Sequence, residues 1–170
     1  MVKRKKREVP KKKIQEEVRK LVVRASHKDI KILGLVVSEI PKNTEMSKLQ
    51  PYVALKYFRS DWQCFSEWTK AELEQFSKFI EKLQNHTWEQ VYKTGNKIPK
   101  HGLGYTKYKV EKVKSGAIWQ TLKSVQEEIS EDIDFFELRV NQKKLRVHGF
   151  QSQAVFFLVA LDRNHEAFPM

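Results

Sequence analysis

Between Phe135 and His148 apolar and polar residues alternate so regularly that two neighbouring β-strands are the natural way to place them. Phe136, Leu138 and Val140 alternate with Phe135, Glu137 and Arg139, and beyond Asn141 to Lys144 the residues Leu145 and Val147 alternate with Arg146 and His148. If the four residues Asn141 to Lys144 form the turn, the register is fixed. Val140 then pairs with Leu145, Arg139 lies opposite Arg146, and Glu137 lies opposite His148, at the roughly 4.5–5.5 Å typical of cross-strand neighbours. The pattern predicts one core face and one charged face. Ala154 to Leu161 follows as a run apolar on both alternating sets, which predicts an interior strand covered from both sides.

Two facing arginines repel each other. An anion held between them relieves the repulsion, and the planar guanidinium suits bidentate phosphate contacts. Glu137 beside His148 adds a carboxylate and an imidazole, the groups needed to move a proton next to such a phosphate. The alternative from the same residues is that Arg139 and Arg146 splay into solvent over a polar sheet face. Both readings stay open on the sequence.

Upstream, Ile14, Val18, Leu21 and Val22 recur at helical spacing, and the branched run from Ile30 to Ile40 before Pro41 suggests a strand. Tyr52 to Phe58 reads as a second strand. Thr69-Lys70-Ala71-Glu72 is a capping box and should open a helix, with Leu73, Phe76, Phe79, Ile80 and Leu83 as its apolar stripe and Lys70, Glu74, Lys78, Glu81 and Lys82 facing away. A second box, Thr87 to Gln90, opens a shorter helix with Trp88 and Val91 in the core. Gly95 to Gly104 is the longest turn-forming stretch and lacks the spacing of a phosphate-cradling glycine loop. Basic and apolar residues alternate from Tyr105 to Val113, and Ala117 to Ile129 has helical spacing through Ile118, Leu122, Val125 and Ile129.

At 170 residues the chain accommodates one domain with a substantial core. Of its net charge of +12, +7 falls within residues 1–13, so those residues are expected to form a disordered basic tail. The expectation for residues 14–170 is a single α+β domain, in which 14–52 extend a core of 53–170. The charge favours polyanionic partners. A lone Cys64 excludes an internal disulfide framework, and no apolar run approaches the roughly 20 residues of a membrane span. With no apolar segment behind the basic N-terminus, a secretory signal is not expected, and the setting implied is cytoplasmic.

The order strand, long helix, short helix, then three strands carrying Glu137-Leu138-Arg139, Leu145-Arg146-Val147-His148 and, after the last, Arg163-Asn164-His165-Glu166-Ala167-Phe168, resembles the RelE family of bacterial toxin endoribonucleases, including the YoeB type. The resemblance runs from about Val53 to Phe168. It implies a twisted antiparallel sheet flanked by helices, with a strand-helix-helix-strand-strand-strand core. It also implies metal-independent, cofactor-free cleavage of messenger RNA by 2′-hydroxyl attack on the adjacent phosphate, on or off the ribosome, with an antitoxin as protein partner. Arg139 would stabilise the phosphate, Arg146 would be a second clamp, and His165 would be the C-terminal acid or base. Phe168 stands where some members place a tyrosine. Glu137 and His148 join the site from strand geometry, and Lys100, His101, Lys107, Lys143, Lys144 and Arg163 are expected to hold the RNA. Other readings are a metal site from Asp162, His165 and Glu166 with His148, a non-catalytic RNA-binding module, and a protein-interaction domain that accepts a partner along a sheet edge.

Overall fold

The computed structural model describes residue 32, residues 46–95 and residues 102–169. The chain divides into two compact units, Met1–Asn43 and Thr44–Met170. The basic tail, the helical spacing of 14–24, Lys100 and His101 lie outside the described residues. Ile32 is helical where the branched run suggests a strand, because the apolar residues of that run also recur at helical intervals and periodicity cannot separate the two.

The second unit is α+β, built on a five-stranded sheet. Its elements are β1 (Tyr52–Ala54), α1 (Lys70–Gln84), α2 (Trp88–Tyr92), β2 (Thr106–Tyr108), α3 (Gly116–Ile129), β3 (Phe135–Arg139), β4 (Arg146–Ser152) and β5 (Val155–Asp162). The strand order is β1-β5-β4-β3-β2. Three of the four pairings are antiparallel, whereas β1 runs parallel to β5, so the expected all-antiparallel sheet is mixed at one edge. A parallel neighbour needs a long crossover, and the helices α1 and α2 fall within the connection that follows β1. The expected strand over Tyr52 to Phe58 is only three residues long, since the chain turns where the Phe58 N–H donates to Leu55 O.

The hairpin has the register read from the sequence. Arg139 pairs with Arg146, Glu137 with His148, and the Val140 N–H donates to Leu145 O at 3.0 Å. Asn141 closes the turn, its Oδ1 accepting the N–H groups of Lys143 and Leu145 at 2.9 and 3.2 Å. That local side-chain bonding is what asparagine does well in turns. The interior strand β5 is buried along its whole length.

Phe136, Leu138, Leu145, Val147, Phe156, Leu158 and Leu161 form one sheet face, and Phe79, Leu83, Trp88 and Val91 from α1 and α2 close over it. From the other side α3 packs on β5 with Ile118, Leu122 and Val125 buried, near the ring cluster of Tyr57, Phe150 and Phe157. The face expected to carry exposed charge is thus partly covered, by α3 over β5 and by the Tyr108 side chain of β2 against His148.

Both capping boxes form. Thr69 accepts the Glu72 N–H, and the Glu72 carboxylate accepts the Thr69 N–H and hydroxyl. The same carboxylate receives two hydrogen bonds from Arg163, at 2.7 and 2.9 Å, and those bonds are the main reason its pKa falls from the ordinary 4.5 to about 2. A carboxylate with a depressed pKa stabilises the fold above its unfolded pKa, and the contribution is lost as pH falls through the folded one. Replacing Glu72 with glutamine is thus expected to cost about 1–3 kcal/mol at neutral pH. Thermal melts of wild type and variant should converge as pH falls from 4.5 toward 2.

Candidate functional site

The strand register places five polar side chains on one face at the Arg139 end of the hairpin: Glu137, Arg139, Arg146, His148 and, opposite Arg146 on β5, Asp162. That end is covered. Glu137 is 6 % exposed, Arg146 7 %, and His148 and Asp162 not at all. The two guanidinium groups therefore share their face with two carboxylates, and the repulsion that could have called for a bound anion is offset within the protein. Burial lowers the pKa of Arg146 and Arg139 adds to that, while Glu137 and Asp162 oppose it. Arg146 Nη1 donates to Leu145 O at 3.0 Å. It neither splays into solvent nor stands open to a substrate.

His148 is a strut in a buried hydrogen-bonded chain. Burial pushes the Tyr108 hydroxyl well above its ordinary pKa, with Glu137 and Asp162 adding to the shift, so it keeps its proton. It lies 2.7 Å from His148 Nδ1 and donates there when the ring is neutral, which leaves Nε2–H to donate to Asp162 Oδ2 at 3.3 Å. Burial alone would raise the Asp162 carboxyl. The hydrogen bond and attraction of His148, with the N–H groups of Ala167 and Glu166, outweigh it and hold the pKa below its usual value. Asp162 accepts those two N–H groups at 3.0 and 2.8 Å and so clamps the segment after β5.

Within that segment His165 adopts a left-handed backbone, φ 59°, a conformation that histidine takes more readily than most residues. Its Nε2 lies 3.3 Å from Glu137 Oε2, but the angle is unsuited to a hydrogen bond, and both atoms are buried with no hydrogen-bond partner. Phe168 packs on the Tyr108 ring nearby. The structure thus brings Glu137, Arg139, Arg146 and His148 onto one face with His165 beside Glu137, and it withholds most of them from solvent.

Of the residues expected to hold RNA, Lys143 and Lys144 are exposed in the hairpin turn. Lys107 is exposed and paired with Asp134 at 2.9 Å, and Arg163 is engaged by Glu72. Among the described residues no group of three or more His, Cys, Asp or Glu is arranged to hold a metal ion, and Asp162 spends its oxygens on His148 and two backbone N–H groups. No helix among them is long and apolar enough to cross a membrane.

An accessible site lies around the hairpin's turn. A cleft of about 260 Å³ is walled by Gln75, Lys78, Phe79 and Lys82 of α1, by Gly102, and by Arg139 to Gln142. Among the described residues its lining has three cationic side chains and no carboxylate. Burial lowers the Lys82 pKa, and the charge of Arg139 lowers it further, so the cleft gathers positive charge at a cost that an anion would relieve. Gly104 seats Arg139 against this wall. Its φ is +61°, and a Cβ there would come within 3.1–3.3 Å of Arg139 Cβ, Nε and Cζ. The Leu103 carbonyl meanwhile accepts the Arg139 N–H at 2.6 Å. By helical periodicity alone Lys78 and Lys82 fall on the solvent face of α1. Their separation of four residues, which sets them one above the other on one side of the helix, was the available signal.

No family model matches the chain, and neither a curated protein nor a solved structure is significantly similar to it.

Proposed function

We propose that this chain is an RNA-binding protein on a RelE-like scaffold, with Lys78, Lys82 and Arg139 as its phosphate contacts. The observation that carries this reading is the cleft, whose lining among the described residues has the three cations Lys78, Lys82 and Arg139 and no carboxylate. The overall charge of +12 supports it through long-range attraction to a polyanion. The strand-helix-helix order and the placement of the first strand beside the last support the scaffold. RNA in the cytoplasm, including ribosome-bound messenger, is the partner this implies.

A second reading, metal-independent cleavage of messenger RNA with an antitoxin as silencing partner, rests on one specific observation. His165 and Glu137 face each other at 3.3 Å on the arginine-bearing face, and catalytic hydrogen bonds are often long before substrate binds. In that reading the 2′-hydroxyl gives its proton to His165 and attacks the adjacent phosphorus, the bond to the 5′-oxygen breaks to leave a 2′,3′-cyclic phosphate, and the departing oxygen takes a proton back from the ring, which Glu137 positions, while Arg139 with Arg146 receives the developing charge. It requires the segment carrying His165 to open.

Incubating purified protein with labelled single-stranded RNA, with and without ribosomes and EDTA, separates these readings. Salt-sensitive binding without product, weakened roughly tenfold by Lys82→Ala, is the expected result. Product formed in EDTA and abolished by His165→Ala would move the assignment to the nuclease. RNA affinity indifferent to both Lys82→Ala and Arg139→Ala would remove the cleft from either reading and favour a protein-interaction domain.

A further inference from the structure

The cleft has a chemistry more particular than positive charge, and the inference that follows rests on the RNA-binding reading above. Its floor is apolar, Val140 with the almost fully buried Phe79 beneath it, while its cations come from α1 on one side and the end of β3 on the other. A site for a bare phosphate needs the cations but has no use for the floor. One amide in the wall has its orientation fixed. Asn141 Oδ1 is occupied by the N–H groups of Lys143 and Leu145, so Asn141 Nδ2 is the donor to Gln75 Oε1 at 2.7 Å. That leaves the Gln75 Nε2 group to donate elsewhere, and Gln75 lines the cleft. At about 260 Å³ the space falls just under the roughly 300–1,000 Å³ of small-molecule sites, enough for one nucleotide unit.

We infer that the cleft is a single-nucleotide subsite: Lys78, Lys82 and Arg139 take the phosphate, the base lies over Val140, and Gln75 Nε2 donates to an acceptor on the base edge. A guanine presents two such acceptors, O6 and N7, side by side. The strand enters by its phosphate and is measured by one base.

Calorimetric titration of the full chain with guanosine 5′-monophosphate, ribose 5-phosphate and inorganic phosphate tests this. The nucleotide is expected to bind at least tenfold more tightly than either phosphate alone. Lys78→Ala with Lys82→Ala should weaken both phosphorylated sugars tenfold or more, whereas Gln75→Ala should weaken the nucleotide severalfold and leave inorganic phosphate unchanged. Nucleotide binding no tighter than that of ribose 5-phosphate, or unaffected by the paired lysine substitutions, would overturn the subsite. If long RNA still binds and still depends on Lys82 in that case, only the subsite fails. If RNA binding is absent as well, the reading beneath it fails too. Circular dichroism of each variant confirms that the fold is retained, and neither lysine is one of the helix's two buried residues, Phe79 and Leu83.

Discussion

Alanine at Gly149 is expected to destabilise the second unit by at least about 3 kcal/mol, seen as a large drop in the urea midpoint, or to prevent folding. Gly149 sits where the β4–β5 pairing shifts register between His148 and Gly149. A Cβ there would lie 2.1 Å from the Phe157 carbonyl oxygen and 2.7 Å from Phe156 Cε2. The ring could swing aside, but the carbonyl belongs to the backbone of a strand paired on both sides, so relief means breaking the ladder. Gly116 supplies the contrast. It opens α3 with nothing within 4 Å of an added Cβ, and alanine there should be neutral or stabilise by about 0.5–1 kcal/mol. A Gly149→Ala protein within about 1 kcal/mol of wild type would mean that the bulge is not built as described.

Asp162→Ala is expected to cost about 3–5 kcal/mol, close to the most that loss of a single buried charge does. The carboxylate is fully buried, accepts from His148 and from the N–H groups of Glu166 and Ala167, and offsets the buried Arg146. Its removal leaves three donors without an acceptor in a place water does not reach. Tyr108→Phe removes only the outer link of the same chain, at 2.7 Å from His148, and should cost about 1 kcal/mol. The ordering of the two variants is the test. In NMR spectra of a surviving Asp162→Ala protein the His165 signals should broaden, because the clamp on residues 166 and 167 is gone. Equal, small losses in both variants would show that the chain of hydrogen bonds contributes little.

The hairpin was legible because its information is local. Alternation fixes the faces, Asn141 favours the turn, and once the turn is placed the partners of Val140, Arg139 and Glu137 follow without knowledge of the rest. Both capped helices were legible for the same reason, since Thr69 with Glu72 and Thr87 with Gln90 act within one helical turn. What could not be read was the covering of the charged face. Whether His148 meets solvent is decided by Tyr108, forty residues before it, and by the segment after β5 that Asp162 clamps and whose Phe168 packs near the ring. None of these leaves a mark in the alternation of β3 and β4. Lys78 and Lys82 read as ordinary solvent-facing helix residues, and only the return of the hairpin turn beside α1, tied by Asn141 to Gln75, makes them the wall of a cleft.

The central question is whether the positive cleft meets RNA phosphate. The direct measurement is the salt dependence of single-stranded RNA affinity for wild type, for Lys78→Ala with Lys82→Ala, and for Lys112→Ala with Lys123→Ala, which removes equal charge at and before α3. Each lost phosphate contact should flatten the plot of log affinity against log salt by roughly 0.7, so the cleft pair should flatten it by roughly 1.4 and the distant pair by much less. Identical slopes and affinities for the two pairs would contradict the cleft as the binding surface.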